Sequence, residues 1–166
     1  MGDVLTQHPP PDQEPLPSLE EIRAFVNALV PFQKLVGAEV VELGADRAVA
    51  VLPESGDTLN HVGTGHAGAL FLLAEAAAGA ALAGMLRERI LATVFILRES
   101  RIAYRRKARG EIRAVADVPE GALPAAYPDL AAGDRFETVV TSRLQDREGE
   151  CVAEAVFTYH CRILPG

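Results

Sequence analysis

The residues best suited to chemistry lie between Asn60 and Leu86, in NHVGTGHAGALFLLAEAAAGAALAGML. Asn60, His61, Thr64 and His66 crowd a short polar loop. An apolar run follows in which, from Ala67 to Leu86, Glu75 is the only ionisable side chain. Burying an unpaired carboxylate costs several kcal/mol or forces its pKa up. Such a group is retained either for its reactivity or because a backbone group or a second subunit satisfies it. The start of a helix adds free N–H donors and a partial positive charge, which suit an oxyanion developing at that point. The polar loop and the carboxylate therefore need a buried helix to carry them and a sheet to hide it.

The elements that could do this are legible in order. Residues 1–17 carry Pro9, Pro10, Pro11, Pro15 and Pro17 and read as a disordered, proline-rich tail. Ser18-Leu19-Glu20-Glu21 fits a capping box, and Ile22, Phe25, Val26 and Leu29 form one apolar face of a helix that Pro31 closes. Val36–Leu43 and Arg47–Leu52 read as a hairpin about Gly44-Ala45-Asp46. A loop to Gly65 precedes a long helix, about Ala67–Arg89, that is apolar on nearly every side and hence buried.

Four more strands are expected over Thr93–Arg105, Glu111–Val118, Phe136–Gln145 and Cys151–Ile163. In the last, Cys151, Ala153, Ala155, Phe157, Tyr159, Cys161 and Ile163 share one face. Tyr159 is read there as core and His160 as surface. Pro119–Gly133 reads as a loop or short helix over the sheet. One domain, 18–166, results. One sheet face cannot cover an all-apolar helix completely, and the uncovered side, around Gly79 and Gly84, calls for a second subunit.

Composition excludes several classes. The net charge of -7 argues against a general nucleic-acid binder. The apolar run could span a bilayer by length, but it is mostly Ala and Gly with Glu75 near its middle, so no membrane role is expected. On one strand, Cys151 and Cys161 lie about 33 Å apart, far beyond the reach of a disulfide. Two reduced, buried thiols and the lack of a signal sequence in MGDVLTQHPPPDQEP point to a cytoplasmic protein. Of His8, His61, His66 and His160, only the loose His61–His66 pair approaches ligand spacing, so no metal is expected. Neither G-x-S-x-G nor a phosphate-binding G-x-x-x-x-G-K-[ST] loop occurs.

The segment Asn60, His66-Ala67-Gly68, Leu73-Ala74-Glu75 resembles the hotdog-fold acyl-CoA thioesterase superfamily. In its phenylacetate-pathway branch an Asn precedes His-Gly-Gly, and Leu-Ala-Asp or Leu-Ala-Glu follows with the carboxylate nine residues after the His. The resemblance covers roughly residues 19–163 and is as strong to an uncharacterised subfamily. It implies an α+β hotdog fold: a long central α-helix wrapped by an antiparallel β-sheet, here with an extra N-terminal helix. It also implies an enzyme that hydrolyses an acyl-CoA to the free acid and coenzyme A, with no cofactor beyond the CoA of the substrate.

By that resemblance Glu75 is general base or nucleophile, and the Ala67 N–H polarises the thioester carbonyl. His66 and Asn60 hold the carbonyl or the attacking water, and Gly68 lines the substrate site. The basic turn Arg105, Arg106, Lys107, Arg109 sits where the family binds the nucleotide end of CoA; a solvated basic turn is the plainer alternative. Ala67 replaces the family's usual Gly, which keeps the donor but adds a Cβ near the substrate path.

Glu75 and the helix entrance are roughly 12 Å apart along one helix. A homodimer, or a tetramer of such dimers, would bring one subunit's Glu75 to the other's entrance. Asn60 could instead only shape its turn, and His66 could serve as a cap. Two other functions stay open: a non-catalytic protein that binds acyl-CoA or acyl carrier protein, and a hotdog enoyl-CoA hydratase or dehydratase.

Overall fold

A computed structural model describes residues 15–165. The expectation of a disordered tail therefore falls, up to residue 14, outside the described residues. Ser18 caps α1 (Leu19–Leu29) with the expected reciprocal bonds: the Glu21 N–H donates to Ser18 Oγ at 3.1 Å and the Ser18 N–H to Glu21 Oε2 at 2.7 Å. Pro31 does not merely close this helix. It opens a second short helix, α2 (Pro31–Val36), where its missing N–H is no loss. Gly37, at φ 82°, ends α2 in the left-handed region, so the first strand starts three residues later than its β-rich composition suggests.

The strands are β1 (Glu39–Leu43), β2 (Arg47–Leu52), β3 (Thr93–Tyr104), β4 (Ile112–Asp117), β5 (Arg135–Gln145) and β6 (Cys151–Ile163). They form one antiparallel sheet in the order β1-β2-β4-β5-β6-β3. The sheet wraps a long helix, α3 (Ala67–Met85), in the hotdog arrangement. Ala48, Ala50, Ala114 and Ala116 are all 1% exposed or less, and the helix brings its own alanines to this part of the core. Small residues on both sides let helix and sheet approach closely. By length and composition α3 could cross a membrane, but most of it is buried inside the sheet.

Helix α3 ends at Met85, four residues short of the sequence expectation. A 3-10 segment, Arg87–Ala92, replaces its last turn. Gly84 is buried rather than on the uncovered side: a Cβ there would collide with the carbonyl oxygen of Gly44 in the β1–β2 turn. The Pro119–Gly133 segment closes the C-terminal end of α3. Its Tyr127 is buried, donates from Oη to the Leu86 carbonyl at 3.2 Å, and stacks edge-on against Phe136.

The two sheet edges differ. At β1, Asn27 of α1 presents its amide to the strand: Nδ2 donates to the Val40 carbonyl and the Val40 N–H donates to Oδ1, both at 2.9 Å. The buried Gln33 donates to the same Oδ1 at 3.1 Å. Helix α1 thus covers this edge through a polar residue, and its expected apolar face is split. Ile22 is buried, whereas Phe25 and Leu29 are exposed. At the other edge, β3 pairs only with β6 and runs for 12 residues, with Val94 and Ile96 exposed on its outer face. No α-helix or strand covers its free side among the described residues. Long bare edges of this kind invite pairing with another strand.

Candidate functional site

The polar loop is built around Asn60. Its Oδ1 accepts from the N–H groups of Val62 at 3.0 Å and Thr64 at 3.1 Å. Its Nδ2 donates to Thr64 Oγ1 at 2.9 Å and to the Gly65 carbonyl at 3.4 Å. The amide is therefore fully engaged inside the loop, where it shapes the approach to α3. His61 is exposed in the same turn.

His66 is the N-cap of α3. Its Nδ1 accepts from the Gly68 N–H at 2.9 Å, which leaves the proton of the neutral ring on Nε2. This bond uses the Gly68 donor. The Leu70 N–H is likewise taken, by the His66 carbonyl at 3.0 Å. The Ala67 N–H, in contrast, bonds to no described residue and sits on an exposed turn. It is an open donor at the positive end of a 19-residue helix. Tyr104, at the end of β3, ties down this turn by donating from Oη to the Ala67 carbonyl at 2.9 Å. Sequence reasoning missed Tyr104, because no local pattern relates a strand end to a helix 37 residues earlier.

Along α3, Gly68, Phe71, Glu75 and Gly79 recur at helical spacing, and they are not fully buried. This stripe exists because α3 packs on β1, β2, β4 and β5, touches β6 lightly and barely meets β3. Glu75 sits in its middle. No hydrogen bond or ion pair reaches the carboxyl from a described residue, and burial pushes it above the ordinary carboxylate range. Glu75 and the Ala67 N–H lie on the same helix, roughly 12 Å apart by rise, so one chain does not bring them to one atom.

The basic turn meets the site directly. The Gly65 N–H donates to the Ala108 carbonyl at 2.9 Å, and Ala108 is buried against Gly65. Lys107 and Arg109 thus flank the entrance of α3, without an ion-pair partner among the described residues. Arg105 and Arg106 are diverted. Arg105 pairs with Glu154 at 3.2 Å in a groove on the outer face of the sheet, and Arg106 pairs with Glu150 at 2.8 Å. No cluster of three or more His, Cys, Asp or Glu able to hold a metal occurs among the described residues. Cys151 and Cys161 are free thiols; Cys161 is buried and Cys151 only partly so.

Known proteins share this fold. A family described as a domain of unknown function, DUF4442, matches residues 20–161. A Pseudomonas aeruginosa protein of unknown function, described as a probable thioesterase, is 28% identical, with 90% of this chain and 97% of that one covered and a TM-score of 0.73. A second, conserved protein from Pseudomonas aeruginosa is also 28% identical, covering 80% of this chain and 94% of that one, with a TM-score of 0.64. A thioesterase from Haemophilus influenzae is 18% identical over 90% of this chain and 93% of its own, with a TM-score of 0.70, and shares the fold.

Proposed function

From the premise that the chain belongs to the DUF4442 family, a thioesterase-like hotdog family, we propose that it is an acyl-CoA thioesterase working as a homodimer. One observation carries the reading. An unpaired, largely buried carboxyl lies on the incompletely covered stripe of α3, and an open N–H donor stands at the entrance of the same helix, too far away to act on one atom within one chain. Pairing of two β3 edges would extend the sheet across both subunits and cover both stripes. The helix entrance of one protomer would then face the partner's Glu75.

The chemistry follows from the donors. The thioester oxygen accepts from the Ala67 N–H, which stabilises the oxyanion as the carbonyl carbon becomes tetrahedral. Glu75 takes a proton from the attacking water, or attacks as carboxylate to give an anhydride that water then opens. A carboxyl raised by burial is a stronger base than a free one, which favours the first task near neutral pH. The C–S bond breaks and the thiol of CoA leaves with the proton. The Nε2–H of His66 orients the substrate, and Gly68 lets the acyl group pass close to the backbone. Lys107 and Arg109 hold the CoA phosphates, with Arg105 and Arg106 in support. No cofactor is needed, and two reduced thiols suit a cytoplasmic enzyme.

Thiol release from a panel of acyl-CoAs tests this. Wild type should turn over at least one member, and Glu75→Gln should lose about a hundredfold or more, as expected for removal of a general base. Binding without turnover in wild type would replace the enzyme by an acyl-CoA-binding module.

A further inference from the structure

Tyr159 holds a buried phenol that the scheme above does not use. The residue is 1% exposed, on the inner face of β6, with its ring edge-on to Phe95. Its Oη has no hydrogen-bond partner among the described residues. A buried hydroxyl left unpaired is costly, and phenylalanine would fill the same space without that cost. The hydroxyl is aimed at α3. A Cβ built on Gly79 would stand 3.7 Å from Tyr159 Oη and 3.9 Å from Glu75 Oε1. Glu75 and Gly79 are four residues apart on the same face, so the missing side chain of Gly79 leaves a gap between carboxyl and phenol.

We propose that Tyr159 and Glu75 together hold the hydrolytic water over Gly79, with Tyr159 as the residue that positions it. This rests on the thioesterase reading. The Tyr159 O–H donates to the water oxygen, and the water donates one hydrogen to Glu75. The remaining lone pair of the water is thereby aimed at the thioester carbon. As the O–C bond forms, Glu75 takes the proton; as the C–S bond breaks, that proton passes to the CoA sulfur. The acid and the thiol leave, and Glu75 is a carboxylate again. Burial and the nearby carboxylate raise the phenol well above its usual range, so Tyr159 stays a donor wherever Glu75 is ionised.

Within one chain the groups around the pair are simple; in the proposed dimer the second subunit adds its helix entrance, with His66 as the cap and Lys107 and Arg109 beside it. Glu75 is the only ionisable residue of α3, Tyr159 faces it from β6, and Cys161 lies further along that strand. From β5 the inner face brings Thr138, Val140 and Ser142, and from β3 Phe95 and Leu97, none of them ionisable.

The test uses full-length Tyr159→Phe and Gly79→Ala. The added methyl of Gly79→Ala makes only ordinary contacts, so that variant folds even if Tyr159→Phe does not. Both should lower kcat about tenfold or more with KM changed less than about threefold, in the range for a positioned proton-transfer group. The acid limb of the kcat profile should move to higher pH. Carbon-13 NMR of the Glu75 carboxyl supplies a readout that needs no turnover: its midpoint should rise in both variants, because the carboxylate has lost a bound donor. Unchanged kcat in an active enzyme, or an unchanged Glu75 midpoint in either variant, overturns the assignment. A wild type inactive on every acyl-CoA would sink the thioesterase reading, while the NMR arm still decides whether Tyr159 and Glu75 are linked.

Discussion

Glu75→Gln should make the protein more stable at neutral pH while removing its activity. The carboxyl is largely buried, it receives no hydrogen bond from a described residue, and burial is the sole cause of its raised pKa. A group whose pKa is higher folded than unfolded contributes its full stability below the unfolded value, here 4.5. That stability is lost as pH rises through the folded value, because the buried group must then ionise. Glutamine has nearly the shape of the protonated acid and never ionises. The two proteins should therefore melt alike near pH 4 and diverge towards pH 8, with the variant higher. Each unit by which burial lifts the carboxyl is worth about 1.4 kcal/mol. In a chain of this size that is roughly 3–5 °C in Tm. Calorimetry or fluorescence melts of both proteins from pH 4 to pH 8 give the comparison. A Tm difference independent of pH, or a wild type that gains on the variant as pH rises, would refute the claim that burial holds this carboxyl above the ordinary range.

Other outcomes follow from the same geometry. Gly84→Ala should destabilise by about 1–3 kcal/mol, seen in urea melts, because its methyl drives into the rigid β1–β2 turn and the backbone must move. Of the two thiols, Cys151 should react with a disulfide reagent in the native protein. Cys161, buried and pushed up to about 12, should react only after denaturation. Lys107→Ala and Arg109→Ala should each raise KM for an acyl-CoA about two- to fivefold, as suits exposed charges worth up to about 1 kcal/mol. They should leave the KM for the matching acyl-pantetheine, which lacks the nucleotide, unchanged.

Much of the fold was legible because its elements carry strong local signals. The alternation over Cys151–Ile163 matched β6 at both ends, and the run from Ala67 marked α3 as a buried helix. The errors arose where distant packing decides. Phe25 and Leu29 obey helical spacing, yet α1 meets the sheet edge through Asn27, whose amide satisfies Val40 better than an apolar side chain would. Arg105 and Arg106 are basic in sequence, but acidic neighbours on β6 and its preceding turn claim them. Gly84 looked like an exposed helix position, and only the return of the β1–β2 turn buries it. In the site, Glu75, His66 and Ala67 stood out as chemistry on a helix. Tyr104 and Tyr159 did not, because their significance comes from strands that reach α3 only in three dimensions.

The proposed site is shared between two chains, and subunit mixing tests that most directly. Glu75→Gln removes the carboxylate, and Ala67→Pro removes the N–H at a position where proline is tolerated in a helix. Each variant alone should be inactive in thiol release. Unfolded, mixed and reassembled at equal amounts, half the dimers are hybrids, and one of their two sites keeps an intact Ala67 N–H opposite an intact Glu75. The mixture should therefore recover about a quarter of wild-type activity. No recovery from correctly reassembled hybrids would contradict the shared site, and full activity in Glu75→Gln alone would contradict the carboxylate's role.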